Sequence, residues 1–305
     1  MPSSRARSPM RRDGSATGTL SLVSGRRLRE PSAREFHELA SLIHDAAGIA
    51  LNESKRALVM RRLANHIASL GLSSFDEYTA LVRADDSGSE LIELLDLIAT
   101  NETHFFREPA HFEFLEQRVY PLWLEQARKG ERSRVIRVWS SACSTGQEPY
   151  SLAMQLLSNF PASDGWSIEL LATDVSTRAL ATAASAVWSL DKAHEIPPHF
   201  LKRYMRRGVG EQLGKMRASE ELRGAVRFLR VNLTDEHYPV PGSFDLIFCR
   251  NVLIYFTPEG RASVIDKLTK RLATDGLLFV GHAESLHAHR AQLHPLMPTV
   301  YTRAS

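Results

Sequence analysis

Residues 135–151 read VIRVWSSACSTGQEPYS, and the fold turns on how that stretch is read. Val135, Ile136, Val138 and Trp139 make a short apolar run that stops at a knot of small residues. A helical pattern then opens near Pro149. A strand, a tight loop and a helix, in that order, are where α/β proteins hold nucleotide-like ligands. The usual phosphate-binding glycines are missing, however. Neither G-x-G-x-x-G nor G-x-x-x-x-G-K-[ST] is present, and Gly146 stands alone beside Glu148. A pyrophosphate over this turn would meet a carboxylate and too little bare backbone. A ligand with positive charge would be attracted.

Outward from the loop, apolar runs alternate with helical patterns, the signature of a mainly parallel, doubly wound α/β sheet. Strands are predicted over 134–140, 167–173, 226–231, 244–249 and 277–281, with a last one near 299–303. Helices are predicted near 149–159, 177–185, 197–206 and 258–273, after one that Pro109 opens and that runs to about Lys129. Asp275-Gly276 reads as a turn into LLFVG, and 206–219, with three glycines, as a small hairpin.

Ligands of such a sheet lie beyond the carboxyl ends of its strands. The first strand delivers SSACSTGQE there, the second Asp174, the third Asn232 and Leu233, the fourth Arg250 and Asn251, the fifth GHAES. Asp174 lies 28 positions after Gly146 and is placed to accept from both hydroxyls of a ribose. The alternative role for it is that of a charge at a helix start. An adenosine ligand with no phosphate but with a sulfonium and an ammonium, S-adenosyl-L-methionine, suits this set better than NAD or ATP. Its ammonium would pair with Glu148 and its carboxylate with Arg107.

The chain upstream has a different texture. Ser32 and Glu35 have capping-box spacing, and Phe36, Leu39, Ala40, Ile43 and Ala47 then share one helical face as far as Gly48. Helices are also predicted over 52–70, capped by Asn52, over 74–82, and over 89–99, so 31–100 reads as a helical bundle with short loops. In the second helix Lys55, Arg62 and His66 share a face with Arg61 beside them, which is either solvated or meets an acidic partner. Residues 1–30 carry seven arginines against Asp13 and Glu30 and have no apolar core. They are expected to form a disordered basic leader rather than a secretory signal or a nucleic-acid arm.

With 43% hydrophobic and 24% charged residues, and no apolar run near the ~18 residues of a membrane span, a globular protein of the cytoplasm with no membrane insertion is expected. Cys143 and Cys249 form neither a disulfide framework nor a zinc pattern and read as buried thiols. His282, His287, His289 and His294 crowd one region, but no metal is called for, and they read as ordinary surface or packing histidines.

Six segments, in order, carry a resemblance: GIALNESKRALVMRRL (48–63), ATNETHFFRE (99–108), VWSSACSTGQEPYSLAM (138–154), LATDVS (171–176), FDLIFCRNVLIYF (244–256) and DGLLFVGHAESL (275–286). The chain resembles the chemoreceptor methyltransferase family, the CheR type, across about 31–303. The resemblance implies a helical N-terminal domain over 31–100 and an adenosylmethionine-binding domain over 101–305, with a β-subdomain insert near 206–225. It implies methyl transfer from S-adenosylmethionine to glutamate side chains on the cytoplasmic helices of chemoreceptors. Cofactor contacts are implied for Asn101, Thr103, Arg107, Glu148, Asp174, Asn232, Leu233, Arg250 and Asn251, with Arg107 and Tyr255 near the transferred methyl. Lys55, Arg61 and Arg62 would meet the acidic receptor helices, and the β-subdomain in some members holds a receptor's C-terminal pentapeptide. Cys143 and His104 depart from the pattern expected of the family, and the basic leader is additional.

The implied chemistry asks little of the protein. A glutamate carboxylate, with a free pKa of about 4.3, is already a nucleophile at neutral pH and needs no general base. Anion and cation combine, so charge is lost toward the transition state and a dry site favours it. Alignment of oxygen, methyl and sulfur is the main remaining need. Two other readings use the same sheet: a methyltransferase for a different acceptor, and a receptor-binding scaffold that senses adenosylmethionine without turnover. DNA amino-methyltransferases usually show an N-P-P-Y-like motif where this chain has CRNVLIYF.

Overall fold

The computed structural model describes residues 28–286 and 291–304. Most of the expected leader, 1–27, lies outside the described residues, as do His287 and His289. Its last residues are tied down: the Arg29 guanidinium reaches both oxygens of Glu35, at 2.6 and 2.7 Å.

Four helices open the fold. The first, α1 (Ala33–Ala47), has the full capping box: the Ser32 side chain accepts from the Glu35 N–H, and the Glu35 side chain accepts from the Ser32 N–H. Then come α2 (Arg56–Ser69), α3 (Phe75–Ala84) and α4 (Ser89–Ile98). Asn52 does not cap α2. A 3₁₀ turn, Glu53–Lys55, precedes the helix, and the Asn52 side chain accepts from Ser54 Oγ instead. Leu39, Ile43, Val59, Leu63, Ile67 and Phe75 are completely buried in this bundle. Each such side chain contributes about 1.5–3 kcal/mol on transfer from water.

The rest is a layered α/β unit. A helical segment comprises α5 (Pro109–Phe114), a π turn (Leu115–Val119) and α6 (Tyr120–Arg128). It leads to β1 (Val135–Ser140), α7 (Gln147–Asn159), β2 (Ser167–Asp174) and α8 (Thr177–Ser185). A small three-stranded sheet follows, from β3 (Val187–Ser189), β4 (Met205–Arg207) and β5 (Lys215–Ala218), with α9 (Pro198–Tyr204) between the first two. After α10 (Glu220–Gly224) the chain returns to the main sheet with β6 (Val226–Arg230), β7 (Phe244–Cys249), α11 (Pro258–Thr269), β8 (Leu272–Val280), β9 (Leu293–Met297) and β10 (Val300–Arg303).

The main sheet runs β6-β2-β1-β7-β8-β10-β9, the first five strands parallel and β10 antiparallel to its neighbours β8 and β9. Both faces are covered. Ile136, Val138 and Phe248 pack on one side, Trp139, Ile247 and Leu278 on the other, as strands buried on both faces require. The strand order reverses between β1 and β7, so a crevice opens beyond their carboxyl ends.

Besides Asn52, the structure departs from the sequence reading in four places. The small sheet begins at Val187 rather than near 206, because β3 pairs antiparallel with β5 across an intervening helix. Strand β8 starts at Leu272, and Asp275-Gly276 sits inside it at a register shift between Phe244 and Leu246. Strand β9 went unrecognised because Leu293–Met297 is short, interrupted by Pro295 and mostly exposed, as an edge strand can be. Helix α7 begins at Gln147, since Gly146 with φ 97° makes the turn. A Cβ on Gly146 would sit 2.9 Å from Ala183 Cβ, so glycine also lets α8 approach the loop.

The helical bundle is seated on the sheet's carboxyl edge. Ile49 bridges Phe256, the Ala50 N–H donates to Tyr255 O at 2.7 Å, and Asn232 Nδ2 donates to Ala46 O at 2.7 Å.

Candidate active site

Between the sheet edge and the bundle lies a cavity of about 390 Å³, within the size range of small-molecule sites. The strand ends form its floor, with Ser141, Glu148, Asp174, Asn232, Leu233, Arg250 and Asn251. Its roof combines the end of α1, the start of α2 and the chain leaving α4. Asn101, Thr103, Arg107 and Tyr255 complete it. All ten residues that the sequence reading assigned to cofactor contact or to the methyl's surroundings therefore line one space.

Asp174 ends β2 and is 8% exposed. One carboxylate oxygen accepts from the Ser144 N–H at 2.8 Å and the other from the Ser176 N–H at 2.9 Å. Burial pushes its pKa up, and these backbone donors pull it back. Each oxygen keeps acceptor capacity, which a pair of hydroxyls in the cavity can use.

Glu148 is arranged differently. Its oxygens accept from Ser140 Oγ at 2.7 Å and from Arg250 Nη1 at 3.0 Å. Arg250 also pairs with Glu108 at 3.1 Å and donates to the Arg107 carbonyl. Burial raises the Glu148 pKa. At Glu108 burial likewise acts upward, but Arg250 and the hydrogen bonds outweigh it and hold the carboxyl low. The sequence reading treated Glu148 as a free anion awaiting an ammonium. In the structure a guanidinium already compensates it, and two carboxylates share that one cation. The trio holds two carboxylates to one guanidinium, so any pull on a cationic ligand belongs to the trio rather than to Glu148 alone.

The loop carrying Asn101, Thr103 and Arg107 is pinned at several points. Ser144 Oγ donates to Asn101 O at 3.1 Å, the Phe105 N–H to Glu195 at 2.8 Å, and the Phe106 N–H to Ser151 Oγ at 2.9 Å. Trp188 of β3 donates to Thr145 O at 3.0 Å and meets Phe105 edge-on, so the small sheet buttresses both loops. Among the described residues six non-glycine residues have positive φ, and Phe106, Glu108, Ser144 and Asn251 are four of them. Such conformations cost about 1–3 kcal/mol each and concentrate at functional sites.

Two expectations about side chains change. Arg62 does not belong to a free basic face. Its guanidinium donates to the carbonyls of Ile98 and Ala99 and to Thr100 Oγ1, holding the end of α4, and it lines the cavity roof. A cation at a helix C-terminus is favourable, and burial lowers its pKa. His66 on the same helix is taken by Glu90 at 2.6 Å. Lys55 and Arg61 remain exposed.

Glu108, His111 and His282 put three ligand-type atoms within 4.8 Å of one another. Sequence reasoning missed Glu108 and His111, which bear no metal-like spacing to His282. Arg250 occupies the same carboxylate, and its charge opposes a bound cation there.

A doubly wound sheet with a cavity at its switch point, a buried aspartate at the end of the second strand and no phosphate-binding glycines is the architecture of an adenosylmethionine-dependent methyltransferase. Comparison with known proteins gives the family. Residues 101–302 match the profile described as "CheR methyltransferase, SAM binding domain", and residues 34–99 match "CheR methyltransferase, all-alpha domain". The chain belongs to the CheR methyltransferase family, and its cofactor is S-adenosylmethionine. It is 38% identical to the chemotaxis protein methyltransferase of Salmonella typhimurium over 83% of this chain and 84% of that protein. It is 38% identical to that of Escherichia coli K12, over 83% and 85%. The corresponding protein of Borreliella burgdorferi is 34% identical, over 88% and 94%.

Proposed function

We propose that the protein methylates glutamate side chains on the cytoplasmic helices of chemoreceptors, and that the cavity residues divide the work. S-adenosylmethionine supplies, when bound, a methyl group on a cationic sulfur. Asp174 takes the ribose hydroxyls, Asn232 and Leu233 border the adenosine, and Asn251 borders the cofactor at its reacting end. Asn101 and Thr103 close the cavity from the pinned loop, and the Glu148–Arg250–Glu108 trio sets its charge. The Arg107 guanidinium spends one N–H on Glu102 O at 3.0 Å, which leaves the others for a carboxylate. Tyr255 borders the acceptor's path. The carrying observation is the convergence of these groups on one space at the carboxyl edge of the sheet. A glutamate acceptor arrives there already ionised and asks the lining for no base.

The helical region 31–100 is the docking unit for the acidic receptor helices in this reading, and 101–305 the catalytic unit. Lys55 and Arg61 carry the docking charge, and Arg62 keeps the roof in place. On the small sheet Arg206 and Arg217 are direct cross-strand partners, an unfavourable like-charge pair that an acidic peptide would relieve. That supports a receptor's C-terminal peptide as its ligand. The described residues include no helix long and apolar enough to cross a membrane, which fits work in the cytoplasm beside receptor-bearing membranes.

The test is turnover. With labelled cofactor and receptor-containing membranes, base-labile methyl esters should appear on receptor glutamates, located by mass spectrometry. Label on a different acceptor would replace the substrate assignment, and tight cofactor binding without transfer would favour a scaffold. Arg107→Ala should lower kcat by about 10²-fold, as loss of an orienting group does.

A further inference from the structure

The loop after β7 carries Asn251 and Tyr255 into the cavity, and a side chain outside the cavity governs it. Glu284 is 1% exposed. Its Oε2 accepts the Asn251 N–H at 2.8 Å and the Gly281 N–H at 2.6 Å, and its Oε1 accepts the Ile254 N–H at 3.3 Å. One carboxylate thus joins the segment after β7 to the segment after β8. Gly281 is required for the approach, because a Cβ there would lie 2.5 Å from Asn251 Nδ2 and 2.8 Å from Glu284 Oε2. Asn251 holds φ 59°, a backbone state that persists only where its surroundings impose it. Tyr255 ends the 3₁₀ turn Leu253–Tyr255, whose Ile254 N–H is one of the bonded donors.

We infer that Glu284 is a positioning residue for methyl transfer. Its carboxylate sets the loop conformation in which Asn251 and Tyr255 face the bound reactants. Removing it leaves three N–H groups without their acceptor at once, and the left-handed turn at Asn251 loses its support. Glutamine keeps the shape but turns an NH₂ against N–H donors. Asp174, Asn232 and Leu233 lie outside this clamp and keep most of the cofactor's contacts, so turnover should fall much further than cofactor affinity.

The inference rests on the reading that Asn251 and Tyr255 face the reactants. Glu284→Gln, Glu284→Asp and a control, Ile67→Val in the core of the helical bundle, are compared below all their melting midpoints. Turnover is measured on receptor membranes and the affinity for S-adenosylhomocysteine by calorimetry. Glu284→Gln should lose about 10–100-fold in kcat, the cost of a misplaced site group, with Kd changed by less than about threefold. Glu284→Asp should recover part of the loss, and Ile67→Val should keep normal kcat. Unchanged kcat in Glu284→Gln, or a loss matched by the loss in affinity, overturns the assignment. Should the Gln variant not fold, Glu284→Asp alone must show the same split, and unchanged kcat there has the same consequence. Asn251→Ala and Tyr255→Phe test the underlying reading separately. If they lower turnover and Glu284→Gln does not, only the clamp is wrong. If neither lowers turnover, the reading of the loop itself fails.

Discussion

Asp174 and Arg250 on the floor of the cavity are buried and Arg62 on its roof is half-buried, and these charged groups are satisfied in different ways. The floor groups stand where strands end. Asp174 is held by two backbone N–H groups, and Arg250 by two carboxylates and a carbonyl, all within the α/β unit. Arg62 lies on a helix of the other unit and meets the last carbonyls of α4. The floor is a closed network in which each charge needs its neighbour. The roof is a capped helix end that water can serve in its place. That contrast predicts large, coupled effects below and small, local ones above.

The largest effect is expected at Arg250. Arg250→Met would leave Glu108 and Glu148 buried without their cation and should cost about 3–5 kcal/mol of stability, read from urea unfolding. Adding Glu148→Gln should recover part of it. Full additivity of the two changes would break the picture of one network.

Next comes His111, fully buried beside Glu108. Burial first, then the charge of Arg250, lowers its pKa from 6.5 to about 4. Between those values the unfolded chain binds the extra proton, so this contribution is complete above about pH 6.5 and is lost on acidification toward pH 4. The window carries up to about 3 kcal/mol, and His111→Gln should flatten it. Identical pH slopes in both proteins would show that His111 is not the group responsible.

Asp174→Asn keeps the shape but replaces one acceptor oxygen with a donor facing an N–H. A 10–100-fold loss of cofactor affinity, about 1.4–2.8 kcal/mol, is expected by calorimetry. An unchanged Kd would remove the ribose role. On the roof, Arg62→Ala should cost only about 1 kcal/mol, because the freed carbonyls can turn to water. A loss as large as that at Arg250 would mean the roof is a buried network too.

Much of the floor was legible because a parallel strand announces itself by its apolar run, and the residue after the run must lie at the sheet's edge. Asp174, Asn232, Arg250 and Asn251 were found by counting from strand ends. The capping box of α1 was equally local, since Ser32 and Glu35 are three residues apart. What escaped was pairing across distance. Glu148 meets Arg250 over 102 positions, Arg62 meets Ala99 over 37, and Glu284 meets Asn251 over 33. Strand β3 and the edge strand β9 escaped for the same reason, as each is defined by its partner rather than by its own composition.

The sequence by itself determined most of the element types, the mainly parallel sheet, the missing phosphate loop and the groups that the parallel strands bring to one edge. These follow from periodicities of two and 3.6 residues and from backbone chemistry within a few positions. Tertiary structure alone decided which charges neutralise one another, which arginine is free to meet a partner and which buried carboxylate holds the site loop. Those outcomes depend on desolvation and on distances of about 3 Å between residues far apart in the chain, and no local pattern encodes either.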